Sequence, residues 1–112
     1  MSVKSQAEEN LIKEKLVRDN IPKIIKSSGG LPRHRIADEH EYEDLLYKKL
    51  EEEILELQED KNAEELGDVL EVLDSIRVHY NLKSDDISSV ASAKREKNGA
   101  FHKRIVLEMP LN

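Results

Sequence analysis

From Glu39 to about Glu59, apolar side chains return at three- and four-residue steps: Tyr42, Leu46, Leu50, Ile54 and Leu57. That spacing follows the 3.6-residue period of an amphipathic helix. Asp38, with Glu41 three residues on, gives the helix a start resembling a capping box. Asp60-Lys61-Asn62 interrupts the pattern. Asn62 can cap a second helix, on which Leu66, Val69, Leu70, Leu73, Ile76 and Tyr80 share a stripe. With three residues between them, helices 39–59 and 63–80 are expected to fold back as an antiparallel hairpin whose facing stripes make most of the core.

The pattern is weaker elsewhere. Lys15-Leu16-Val17-Arg18 is a short extended-looking run. Asp19 or Asn20 can cap a short helix through Ile25, with Pro22 tolerated in its first turn. Residues 27–32 read as a loop by their glycines and proline, and Arg33–Ile36 as a short strand or more loop. Ser84, followed by Asp85 and Asp86, starts a third helix. Ile87, Val90 and Ala91 give it a narrow apolar face, and Gly99 can end it. Residues 101–108 look extended, with Ile105, Val106 and Leu107 β-prone.

The long helix carries more apolar positions than one partner can cover: Leu45, Leu46, Leu50, Ile54, Leu55 and Leu57 spread over a wide arc, and the second helix adds Val72 off its main stripe. Such a surplus marks an interface. The expected fold is all-α: a helical hairpin with a third helix, packed as a four-helix-bundle-type homo-oligomer, with short extended terminal segments.

Composition narrows this further. A length of 112 residues bounds the chain to one domain, taken as residues 11–112 behind a loose polar segment at 1–10. Hydrophobic and charged residues are each 38%, which suits a charged helical domain better than a β-sandwich. The absence of cysteine excludes disulfides, zinc–thiolate sites and a cysteine nucleophile. No apolar stretch approaches the length of a membrane span, and Met1–Gln6 lacks the apolar core of a signal peptide. The expectation is a cytoplasmic protein with no membrane partner.

Charge is distributed unevenly. Residues 38–71 hold fifteen acids and three lysines, a net of −12, so the remainder carries +6 of the overall −6. That acidity argues against a nucleic-acid partner, which calls for a dominant basic stripe. An acidic block beside basic ones is also what binding a metal and a polyphosphate requires.

Glu53 falls near the middle of the apolar face defined by Tyr42, Leu46, Leu50 and Leu57. Glu56 lies one turn on, and Glu65 and Asp68 repeat the three-residue spacing on the second helix. Acid-rich helices are most often solvated faces, and Glu65 could simply complete the cap at Asn62. A glutamate inside an apolar stripe does not fit that description, because a buried, unpaired carboxylate is costly. The hairpin would bring all four groups together between the helices. Crowded carboxylates need counter-charge, and oxygen-only ligands point to Mg²⁺, with Mn²⁺ as the other option. Mg²⁺ commonly takes substrate phosphates as further ligands, which points to phosphate chemistry.

The runs Lys49-Leu50-Glu51-Glu52-Glu53-Ile54-Leu55-Glu56-Leu57 and Glu64-Glu65-Leu66-Gly67-Asp68-Val69-Leu70 resemble the all-α nucleoside triphosphate pyrophosphohydrolases, the MazG-like superfamily. Its signature is E-E-x-x-E, a spacer, then E-x-x-D. Lys15–Pro22 and Lys94–Phe101 are similar to a compact, phosphoribosyl-ATP pyrophosphohydrolase-like branch. The resemblance spans about residues 15–108. It implies that Glu53, Glu56, Glu65 and Asp68 hold Mg²⁺ and that Glu52 orients or activates water, with Glu52 and Glu53 as the catalytic pair. It implies hydrolysis of a nucleoside triphosphate to a monophosphate and pyrophosphate, in a dimer or tetramer. The short spacer and the Lys15–Pro22 opening depart from the histidine-pathway enzyme and make house-cleaning of canonical or modified nucleotides an equal expectation.

Lys94 and Lys97 stand one turn apart at the end of the third helix and, with Arg95, could meet the phosphates, although cations also simply favour a helix C-terminus. Lys15 and Arg18 are weighed in the same way. His34, His40, His79 and His102 show no ligand spacing, and Tyr42, Tyr47, Tyr80 and Phe101 read as packing residues. A second reading is a non-catalytic helical module whose acids bind a basic partner. A third is a metal-dependent phosphatase, distinguished by its orthophosphate product.

Overall fold

The computed structural model describes residues 13–110. Four helices make up the regular structure among these residues: α1 (Ile21–Ser27), α2 (Glu39–Glu59), α3 (Ala63–His79) and α4 (Ser84–Asn98). No strand occurs among the described residues. The β-prone run after Gly99 turns at residues 101–103 and continues without regular structure, and Arg33–Ile36 is likewise irregular. Neither run has a neighbouring strand to satisfy its backbone, so side-chain preference alone does not make one. The polar segment expected at 1–10 lies outside the described residues.

Local chemistry sets the helix ends. At the start of α2 the Asp38 carboxylate accepts the Glu41 N–H at 2.9 Å. Glu41's own carboxylate is drawn to Arg35, which also binds Glu14 at 3.1 Å. The Asn62 side chain caps α3 in the same way, accepting the Glu65 N–H at 2.9 Å. α1 runs two residues past its expected end and closes on Gly29 at φ +93, with Gly30 N–H donating to Ile25 and Gly29 N–H to Lys26. That pair of bonds is a Schellman close, which needs a left-handed residue. α3 ends in the same geometry with Asn81 at φ 58 in the glycine's place. α4 begins at Ser84 as expected, with Lys83 before it at the cap position and no side chain capping it. Gly99 ends α4 as expected.

The chain divides between Ile76 and Arg77 into two compact units. In the first, the buried apolar residues are Leu46 on α2 and Val69 and Val72 on α3. Val72, expected off the main stripe, is buried, whereas Leu66, Leu70 and Leu73 are exposed. The inward side of α3 is thus rotated from the side its sequence favours. Ile54 and Leu55 on α2 are exposed too. In the second unit, Ile87 and Val90 of α4 and Phe101, Ile105, Val106 and Leu107 beyond it are all exposed. No helix among the described residues is long and apolar enough to cross a membrane.

Candidate metal centre

Helical periodicity carries acids onto the buried sides of α2 and α3. Leu46 and Glu53 lie seven residues apart on α2, two turns along one face, and both are buried. On α3 the same interval separates Glu65 from buried Val72. Each helix therefore carries a carboxylate on its buried side, in the half nearest the Asp60–Asn62 connection. One oxygen each from Glu53, Glu65 and Asp68 falls within 4.8 Å of the others.

Glu53 is only 6% exposed and is the one buried charged residue among those described. Its Oε1 lies 3.3 Å from the Lys49 ammonium, one turn earlier on α2. Its Oε2 is buried and meets no hydrogen-bond donor, and the same holds for Oε2 of Glu65. Orphaned buried carboxylate oxygens are expensive, because desolvation is not repaid. Burial, followed by the charges of Glu56 and Asp68, pushes the Glu65 carboxyl above its usual range. Glu56 is exposed on the next turn of α2 and lies outside the group of three, but the charge of Glu53 pushes its carboxyl up as well.

Cations ring this acidic centre. Lys49 donates to Oε2 of Glu52 at 2.7 Å, and Lys15 reaches Oε1 of Glu52 at 3.3 Å. Lys49's bond holds the Glu52 carboxyl below its usual range, with a smaller contribution from Lys15. Partial burial works against the Lys49 ammonium, yet its bonds to Glu52 and Glu53 together raise its pKa. Arg18 Nη2 donates to Oδ1 of Asp68 at 2.7 Å. Lys15, Lys48, Lys49 and Glu52 also line an open hollow of about 170 Å³, together with Glu14, Leu16 and Leu45.

Of the residues singled out in the sequence, Lys15, Arg18, Glu52, Glu53, Glu56, Glu65 and Asp68 therefore fall in one neighbourhood of the first unit. Lys94, Arg95 and Lys97 lie exposed near the end of α4, in the second unit. Sequence reasoning passed over Lys49. Its signal was present, since it stands three residues before Glu52 and four before Glu53, the spacings at which helical side chains meet.

The donor set fits a hard divalent cation. It offers carboxylate oxygens alone, two of them buried without partners, and neither sulfur nor imidazole. The acidic triad could thus hold a metal ion. No family model, curated protein or solved structure matches the chain.

Proposed function

We propose that the protein is a Mg²⁺-dependent nucleotide pyrophosphohydrolase, with Mn²⁺ as the alternative ion. Its substrate would be a nucleoside triphosphate or phosphoribosyl-ATP-like nucleotide, cut between the α and β phosphates to a monophosphate and pyrophosphate. The supporting observation is the buried Glu53, whose unpartnered Oε2 belongs to a carboxylate grouped with Glu65 and Asp68. The resemblance of residues 49–57 and 64–70 to the MazG-like signature turns that cation site toward nucleotide chemistry.

In this reading Glu53, Glu65 and Asp68 hold the metal, and Glu56 swings in as a fourth ligand. The bound ion would acidify water and offset charge building on the phosphoryl oxygens. Glu52, kept ionised between Lys49 and Lys15, accepts a hydrogen bond from the attacking water and so aligns it. Lys15 and Arg18 meet the phosphates, and Lys94, Arg95 and Lys97 are further candidates for that role. The α2–α3 hairpin is the scaffold, and copies of it pair as a four-helix-bundle-type dimer or tetramer that covers Ile54, Leu55, Leu66 and Leu70. House-cleaning of nucleotides in the cytoplasm is the role this chemistry suits.

The non-catalytic acidic module is disfavoured by the same residue, because a surface that recruits a basic partner keeps its acids in solvent. A screen of nucleoside triphosphates with Mg²⁺, reading pyrophosphate against orthophosphate, tests the proposal. Pyrophosphate from at least one nucleotide is the expected result. Orthophosphate and a diphosphate, with no pyrophosphatase present, would point to a phosphatase instead.

A further inference from the structure

Arg18 lies outside α2 and α3, yet its guanidinium sits 2.7 Å from Asp68, whose carboxylate belongs to the group of three. Its backbone is tied down, because the Arg18 carbonyl accepts the Ile21 N–H at 3.0 Å where α1 begins. The side chain is free to swing, being 57% exposed against 33% for Asp68. Exposed ion pairs of this kind are weak and exchange easily.

Competition for one carboxylate says when it would swing. A divalent ion held by Glu53, Glu65 and Asp68 would share the Asp68 carboxylate with the Arg18 guanidinium, and two cations on one carboxylate repel each other. The ion would be held by three carboxylates and the guanidinium by one, so the guanidinium is the one that yields. The displaced guanidinium would remain tethered beside the ion by its fixed backbone. Its planar fork of donors matches phosphate oxygens.

We propose that Arg18 is a partner-exchanging counterion: it holds Asp68 while the metal is absent, yields that oxygen to the metal, and then binds a phosphate of the substrate. This rests on the metal centre proposed above and adds a positioning role for a residue outside its ligand set. It also accounts for how a site with two orphaned oxygens tolerates Asp68 between metal-binding events: one of the three acids carries its own removable cation.

The test uses the full chain without nucleotide. Calorimetric titration with Mn²⁺ is expected to show tighter binding in Arg18→Gln than in the unaltered protein, by up to about fivefold, the size of an exposed ion pair. In the unaltered protein the Arg18 Nε–Hε NMR resonance is expected to move when Mg²⁺ is added. With Mg²⁺ saturating, inorganic pyrophosphate should bind about tenfold more weakly to Arg18→Gln, with partial recovery in Arg18→Lys. Metal binding with an unmoved Arg18 resonance, or with unchanged or weaker Mn²⁺ affinity in Arg18→Gln, overturns the exchange alone. Unchanged pyrophosphate binding overturns its second half. Failure of either form to bind metal removes the metal centre, and the exchange with it.

Discussion

Glu53 and Glu65 stand on consecutive helices with an oxygen of each within 4.8 Å, and each carries a buried Oε2 that no donor reaches. Two such groups face to face would ordinarily be selected away in favour of apolar side chains, since neither their desolvation nor their repulsion is repaid within the chain. A cation between them repays both.

Removing one of those charges while keeping its shape should therefore separate function from folding. Mg²⁺ is expected to raise the melting temperature of the unaltered protein, and Glu53→Gln and Asp68→Asn are expected to keep their helical content while losing that rise and metal-dependent turnover. Circular dichroism with and without the ion, alongside a pyrophosphate assay, checks this. Full activity in both variants would sink the metal assignment.

Acid should relieve the site. The Glu65 carboxyl is raised in the folded chain above its ordinary value of 4.5, so the folded state holds that proton more readily than the unfolded one. Its contribution to stability consequently falls as pH rises from about 4.5 through the folded value. Without metal, Glu65→Gln should melt above the unaltered protein at neutral pH, and the gap should close well below pH 4.5. The carboxylates held low by cations, Glu14, Glu41 and Glu52, lose their stabilising contribution as pH falls, but they are common to both proteins and cancel in the difference. Adding Mg²⁺ at neutral pH should reverse the order. A pH-independent gap would contradict the assigned cause.

The cap at Asn62 serves both the helix and the centre, because the N–H it accepts belongs to Glu65. Asn62→Ala should cost about 1 kcal/mol in urea unfolding. It should also weaken Mn²⁺ binding, since the first turn of α3 then frays under one of the ligands. Asp38→Ala, which removes the equivalent cap at the far end of α2, should cost a similar amount and leave metal binding alone. Equal losses of metal affinity in the two variants would show that the cap has no local effect on the centre.

What the sequence made legible was whatever depends on neighbours along the chain. The α2 boundaries, the caps at Asp38 and Asn62 and the glycine stop at Gly99 rest on contacts within a few residues, and the structure has them as expected. The inward position of Glu53 was legible because its period matched Leu46. Val72 was not, because which side of α3 turns inward is decided by what packs against it and not by the richest apolar stripe. Lys15 on Glu52 and Arg18 on Asp68 join residues 37 and 50 positions apart, and no periodicity encodes such pairs. The start of α4 at Ser84 was legible too, from the Ser84-Asp85-Asp86 run.

Exposed Ile54, Leu55, Leu66, Leu70 and Leu73 predict self-association. Light scattering or sedimentation at micromolar concentration should give at least a dimer, and Leu70→Glu should shift the population toward 12.9 kDa monomer while leaving the caps intact. A monomeric unaltered protein with full activity would refute both the assembly and any site shared between copies.

The spacing of the carboxylates also bears on the cost of bringing them together. Glu53 and Asp68 are separated by fifteen positions, so closing that loop costs little chain entropy and is fast. Arg18 must close a span of 50 positions to reach the same Asp68. The acids therefore gather at a smaller entropic cost than the guanidinium that pairs with one of them. A divalent ion at the proposed centre would compete for Asp68 against a partner that carries the larger closure cost.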